Sequence, residues 1–281
     1  MNKVIAIVGP TASGKTKLAI EMAQKYDTEI ISADSRLVYK GFDIATAKPT
    51  REEQRLIKHH LIDVVEPEFD YSVSDFVDSA NKIIKELHRK GKIPIIAGGT
   101  GLYFRILLEN YKLPGVEANP ELRAELESLS NEELYAILKQ LDADSAEKLH
   151  CNDRVRVVRA IEVTKALGVP FSQVKGTKDN EYDIEWIFPQ IPSREILYDR
   201  INKRVDLMLE QGLVKETKFL LNKHGRIKNL VNTIGYQEII KYLDNELDLN
   251  QAVELIKQNT RRYAKRQLTW FRRNQYLSFD L

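Results

Sequence analysis

The stretch Val4-Ile-Ala-Ile-Val8-Gly9-Pro10-Thr11-Ala12-Ser13-Gly14-Lys15-Thr16 decides the fold. It opens with a continuous apolar run rich in β-branched residues, the pattern of a parallel strand buried on both faces. From Gly9 onward it fits G-x-x-x-x-G-K-[ST] at every fixed position, and a helical pattern runs from Lys15 to about Tyr26. Glycines let backbone N–H groups turn inward around phosphate oxygens, and the helix N-terminus adds partial positive charge. In such a loop Lys15 neutralises terminal phosphates and the Thr16 hydroxyl ligates Mg²⁺.

Outward from this loop the alternation continues. Glu29–Ala33 reads as a second strand ending at Asp34, and His60–Val65 as a third. Ser72 to Lys90 is helical, stopped by Gly91, and Ile93–Ala97 is a fourth strand ending in Gly98-Gly99-Thr100-Gly101. Alternating strands and helices mean an α/β fold with a parallel sheet. The character changes after about Leu113: residues 119–170 hold no strand-like run and read as three or four helices. Strand pattern returns at Asp183–Phe188, and helices broken at Gly212, Gly225 and Gly235 follow. The expected architecture is a P-loop NTPase-like parallel-sheet core, 1–115 and 181–281, interrupted by an all-helical insertion domain, 116–180.

Composition sets limits. With 281 residues, 43% apolar and 30% charged, the chain is ordinary for a globular protein. A single cysteine, Cys151, excludes an internal disulfide, and with only five histidines a four-ligand zinc site is excluded in practice. His59 and His60 lack metal-ligand spacing. No apolar stretch approaches a membrane span, and the short N-terminal run is no signal peptide, so the expectation is a cytoplasmic protein without membrane contact. The net charge of +2 hides an asymmetry, because residues 257–273 carry Lys257, Arg261, Arg262, Lys265, Arg266, Arg272 and Arg273 with no acid among them. At about 100° per residue, all but Lys257 fall within an arc of about 140°. Tyr263, Ala264, Trp270 and Phe271 take the opposite side. A basic amphipathic helix can serve a membrane or a peptide-binding partner. Here the apolar side is expected on the core, with the basic side left for phosphate contacts.

A phosphate loop does not say what happens to the phosphate. The fourth strand ends in Ala97-Gly98-Gly99 where a hydrolytic NTPase usually places an acid for Mg²⁺, although Asp63 could serve as that acid. Asn202-Lys203-Arg204-Val205 fails as a guanine-reading motif at its last position. Asp34, at the carboxyl end of the second strand, lies beside the phosphate loop if the first two strands are neighbours. It could act as a general base, assist a metal or cap a turn. Arg200 and Arg204, four apart on a helix, share a face that is either a solvated stripe or a phosphate contact.

Longer strings resolve these options. Asp34-Ser-Arg-Leu-Val-Tyr39-Lys-Gly41-Phe-Asp-Ile44-Ala-Thr46-Ala-Lys48-Pro49 closely resembles the second-strand segment of the tRNA dimethylallyltransferase family. So do the phosphate loop with Pro-Thr-Ala-Ser inside it, Gly98-Gly-Thr-Gly-Leu-Tyr103, Arg159-Ala-Ile-Glu162, Arg200-Ile-Asn-Lys-Arg204, Ile234-Gly-Tyr236 and Arg262-Tyr-Ala-Lys-Arg266-Gln-Leu-Thr-Trp270-Phe-Arg272. The resemblance spans residues 4 to about 273, in the short bacterial form without a zinc finger. It implies transfer of a dimethylallyl group from dimethylallyl diphosphate to the exocyclic amine of the adenosine 3′ of the anticodon in tRNA. The loop residues Gly9, Pro10, Thr11, Ala12, Ser13, Gly14, Lys15 and Thr16 would then hold a diphosphate leaving group with Mg²⁺. Asp34 would be the base, and Thr11 and Arg204 would act on the diphosphate. The resemblance also implies tRNA contacts at Asp34, Ser35, Arg36, Leu37, Thr100, Arg123, Arg156, Arg159, Arg262 and Arg266. The partners expected are the tRNA anticodon stem-loop and dimethylallyl diphosphate, and the expected state is a monomer.

Three readings compete. An adenylate isopentenyltransferase would prenylate a free nucleotide, but needs neither a helical insert nor a basic helix. A P-loop small-molecule kinase would need an adenine pocket and an acceptor site that the sequence does not reveal. An RNA-binding nucleotide switch would leave Asp34 without a role.

Overall fold

The computed structural model describes residues 2–109, 111–174, 176–177 and 181–273. The strands are β1 (Lys3–Val8), β2 (Ile30–Ala33), β3 (His59–His60), β4 (Ile95–Gly98), β5 (Tyr111–Lys112), β6 (Gly176–Thr177) and β7 (Asp183–Ile187). Val4 to Val8 are wholly buried, which is why the first strand reads as a continuous apolar run rather than an alternating one. The main sheet is parallel in the order β3-β2-β4-β1-β7. The first two strands are therefore not neighbours: β4 lies between them. Periodicity reveals that a strand exists, but not which strand it pairs with.

The third strand is also shorter than its apolar run suggests. Leu61 (φ 62°) and Asp63 (φ 54°) adopt left-handed backbone that breaks an extended ladder, and pairing resumes only as an isolated bridge between Tyr39 and Val65. Asp63 is not a metal acid at the sheet's end. Its carboxylate pairs with Lys48, whose ammonium also binds Asp43 at 2.6 Å.

The helices begin with α1 (Lys15–Lys25), entered through left-handed Gly14, then α2 (Arg51–Leu56), α3 (Val73–Arg89) and α4 (Gly101–Leu108). Ser72 and Asp75 form a reciprocal cap that fixes where α3 starts. Phe76, Ala80 and Ile84 then bury one stripe of it against the sheet. The helices of the middle segment are α5 (Pro120–Glu127), α6 (Asn131–Leu141), α7 (Ala143–Lys148) and α8 (Arg154–Leu167). After β7 come α9 (Arg194–Glu210), α10 (Leu213–His224), α11 (Lys228–Val231), α12 (Tyr236–Leu243) and α13 (Leu249–Arg273).

The chain forms two compact units, residues 1–108 with 181–281 and residues 109–180. The second begins earlier than residue 116 because β5 pairs antiparallel with β6, a ribbon too short to leave a sequence pattern. Residues 178–180 and 274–281, which the sequence assigns to the insert and to the core, lie outside the described residues. Within the second unit, α5 to α8 enclose a core of Leu126, Leu134, Leu138, Val157, Ala160 and Ile161. Among the described residues no helix is long and apolar enough to cross a membrane.

Candidate active site

A cavity of about 530 Å³ opens at the carboxyl ends of β1, β2 and β4, where open α/β sheets place their ligands. Its floor is the phosphate loop. Gly9 (φ 151°) and Gly14 (φ 91°) hold backbone conformations that side chains resist, and a Cβ on Gly9 would meet the Phe188 ring at 3.1 Å. Thr11, Lys15 and Thr16 face the cavity, while Gly9, Pro10, Ala12, Ser13 and Gly14 build the turn that presents them. The Lys15 ammonium donates to the Pro10 carbonyl at 2.5 Å. Burial pushes its pKa down to about 7; neighbouring Arg204 adds to this and Asp34 opposes it. Arg204, delivered by α9, donates to the Thr11 hydroxyl at 3.3 Å, and burial lowers its pKa too. Among the described residues neither cation has a carboxylate at ion-pair distance. Lys15 and Arg204 are half-buried in the cavity wall without a carboxylate partner, so the wall presents positive charge that an anion can meet.

Asp34 lies across this cavity even though β1 and β2 are not adjacent, because β4 ends in glycines and leaves the gap open. A Cβ on Gly98 would stand 2.1 Å from the Ala33 carbonyl, so only glycine allows this approach. The Asp34 carboxylate accepts the Arg36 N–H at 2.8 Å, an Asx turn that fixes its direction. Ser35, Arg36 and Leu37 line the same wall. Thr100 does not line the cavity. Its hydroxyl accepts the Ser35 N–H at 3.1 Å and so holds the segment that carries Asp34.

The remaining walls bring in Arg266, which the sequence reading named, together with residues to which it gave no role. The helix α13 contributes Ile256, Thr260, Tyr263, Arg266 and Gln267, and the loop before α12 contributes Asn232 to Gly235. Ala45, Thr46 and Ala47 close one side. Glu216, reaching from α10, accepts the Ile44 N–H at 2.9 Å and the Tyr236 hydroxyl at 2.6 Å. Burial raises the pKa of both these groups. One signal was available for Gln267: it is a polar residue in the middle of the apolar arc of α13. The cations of that helix divide by task. Lys257 pairs with Asp206 at 2.8 Å and Arg261 donates to Asn202 at 2.6 Å, both docking α13 on α9. Arg262, Lys265, Arg266 and Arg273 are exposed, and the Arg266 guanidinium lies 5.7 Å from the Tyr263 ring centre.

The arginines of the second unit are bound differently. Glu162, 1% exposed, receives Arg123 at 2.9 Å and 3.0 Å, the Asn119 N–H at 2.8 Å, and Arg159. Burial alone would raise the pKa of Glu162, but these hydrogen bonds outweigh it and hold the carboxyl below its ordinary range. Arg156 is the most exposed of the three, with Asp153 at 3.4 Å.

Among the described residues no cluster of three or more His, Cys, Asp or Glu could hold a metal. The cavity offers the Thr16 hydroxyl and the Asp34 carboxylate. That set fits Mg²⁺ carried with a diphosphate, since this ion takes few protein ligands and completes its shell with phosphate oxygens and water.

Comparison with known proteins supplies an independent line. The model of the family described as IPP transferase matches residues 37–274. A tRNA dimethylallyltransferase of Acetivibrio thermocellus is 49% identical over 280 residues, covering 97% of this chain and 90% of its own. The solved structure of a tRNA isopentenylpyrophosphate transferase from Bacillus halodurans superposes with a TM-score of 0.73 at 41% identity, over 98% of this chain and 88% of that one. A eukaryotic dimethylallyltransferase acting on tRNA gives a TM-score of 0.81 at 33% identity, over 96% of this chain and 70% of that one.

Proposed function

Because the chain belongs to the IPP transferase family, we infer that its cavity transfers a dimethylallyl group from dimethylallyl diphosphate to an adenosine of tRNA. The enzyme is a prenyltransferase of the tRNA dimethylallyltransferase type. The observation that carries the mechanism is one cavity lined by Lys15, Arg204 and Thr11 together with the oriented carboxylate of Asp34.

The chemistry follows from charge. As the allylic carbon–oxygen bond breaks, the diphosphate gathers negative charge and the allyl carbon positive charge. Lys15, Arg204, the Thr11 hydroxyl and the loop N–H groups meet the growing anion with donors already in place, so little reorganisation is needed as the charge develops. The Thr16 hydroxyl would hold a magnesium ion arriving with the diphosphate, which would further neutralise that charge. The exocyclic amine of adenine is a weak nucleophile and sheds a proton as it attacks. Asp34 takes that proton. The base must leave the stack of an RNA loop to reach Asp34, which fits the adenosine 3′ of the anticodon in the stem-loop. Ser35, Arg36, Leu37 and the Thr100-supported wall receive the flipped nucleotide. Arg262 and Arg266 of the first unit contact phosphates of the tRNA; in the second unit Arg156 does so as well, and Arg123 and Arg159 only with the charge that Glu162 leaves them. The chain works as a cytoplasmic monomer in this reading.

The test is chemical. The protein is incubated with Mg²⁺, dimethylallyl diphosphate and unmodified tRNA, and the digested nucleosides are weighed, with AMP replacing tRNA in a matched reaction. N6-dimethylallyladenosine from tRNA alone is the expected result. Product from AMP alone would assign the chain to free-nucleotide prenylation, and no product from either would overturn the reading.

A further inference from the structure

Gln267 joins the two ends of the cavity. Its Oε1 accepts the Thr11 N–H at 2.9 Å, and its Nε2 donates to the Gly99 carbonyl at 2.9 Å. The residue is 6% exposed, in a stripe of α13 that also buries Ala264, Leu268 and Phe271. A polar group there is costly unless each arm is satisfied. A carboxamide presents an acceptor and a donor side by side, the pair that one N–H and one carbonyl require. Gly99 makes the space: a Cβ at that position would stand 2.2 Å from Nε2. Apolar contacts already seat α13, with Trp270 filling the room over Gly101, where a Cβ would lie 2.3 Å from the indole. Docking the helix does not need the amide.

The two arms lead to different chemistry. On one side, the residue whose N–H is held is the same Thr11 whose hydroxyl meets Arg204. On the other, Gly99 precedes Thr100, whose hydroxyl holds the Ser35 N–H beside Asp34. We propose that Gln267 is a positioning residue that fixes the spacing between the diphosphate site and the general base, an inference that rests on the transfer reaction proposed above. It acts through Thr11 and Gly99 rather than on the reacting atoms. The RNA-facing helix thus carries, one residue after Arg266, the side chain that aligns the chemistry.

Gln267→Met keeps the length of the side chain and removes both hydrogen bonds. The expected result is a fall in kcat of about ten- to a hundredfold, the cost of misplacing reacting groups by a fraction of an ångström to an ångström. KM for tRNA and the Tm should stay at wild-type values. Gly99→Ala should lose activity by expelling the same amide, and the double variant Gly99→Ala/Gln267→Ala should be no worse than the poorer single variant. Wild-type kcat in Gln267→Met, or losses in the double variant that multiply, would overturn the proposal. A Tm and tRNA affinity that fall together with kcat would also overturn it, by making Gln267 a structural prop. Inorganic diphosphate binding, followed by calorimetry, separates this from the parent reading: a wild-type protein that binds no diphosphate and forms no product removes that reading, and this proposal with it.

Discussion

Arginine is used in opposite ways in the two units. In the second unit Arg123 and Arg159 enclose Glu162, a carboxylate with almost no access to water. In the first, Arg204 and Lys15 are half-buried beside a threonine hydroxyl and a backbone carbonyl, with no protein anion at ion-pair distance among the described residues. A buried carboxylate needs its cations for stability, so the first arrangement belongs to the fold. Cations drawn partly out of water without a protein anion add little to the stability of the ligand-free protein, and the proposed diphosphate supplies the missing charge. The difference lies in the partner, which the identity of the cation does not reveal.

The comparison can be broken at its strongest point first. Asp34→Asn removes the base and leaves the cation site in place. Turnover should fall by about 10²- to 10⁴-fold, while inorganic diphosphate still binds. Near-normal turnover would leave the cavity with no proton acceptor and sink the assignment. Lys15 gives a sharper, pH-resolved test. Its pKa of about 7 in the free protein rises when diphosphate binds, so binding above pH 7 takes up a proton. Diphosphate affinity should therefore weaken as pH rises from 7 to 9, by up to about tenfold per pH unit. Calorimetry in buffers of different ionisation enthalpy should show proton uptake at pH 8 that disappears in Lys15→Met. A flat affinity across that range would contradict the burial argument.

The smallest effects test the other side of the contrast. Glu162→Gln should cost about 2–3 kcal/mol of stability, below the full penalty for a broken buried pair because both arginines reach water. The Glu162 carboxyl is held below its ordinary pKa, so its contribution is present above the unfolded carboxyl's pKa and is lost as pH falls through the folded value. The variant should show a lower Tm at pH 7 and a smaller gap to the parent at pH 3. Arg156→Ala, by contrast, should leave the Tm unchanged and weaken tRNA binding by about threefold, with a salt dependence reduced by about one counterion. A stability loss in Arg156→Ala and none in Glu162→Gln would invert the distinction.

What the sequence made legible follows the same physics. The phosphate loop, the strand–helix alternation and the helical insert are local patterns, and each could be read from neighbouring residues. Asp34 was found by motif although the adjacency used to place it is wrong, since β4 separates β1 from β2. The shape of the third strand was hidden because nothing in its apolar run signals the left-handed backbone at Leu61 and Asp63. The pairing of Arg123 and Arg159 with Glu162 was hidden because free and anion-bound arginines look alike in sequence. The wall from Asn232 to Gly235 and the tie made by Gln267 depend on contacts between distant segments, which no window of residues contains.

The bond from Gln267 to Thr11 joins residues 256 positions apart. A ribosome adding about 5–20 residues each second needs on the order of ten to fifty seconds to make the chain between them. Throughout that interval the phosphate loop and its strand can exist, but the amide that holds Thr11 cannot. The catalytic cavity is therefore finished late in synthesis, and a nascent chain that already displays its phosphate loop is not yet an enzyme.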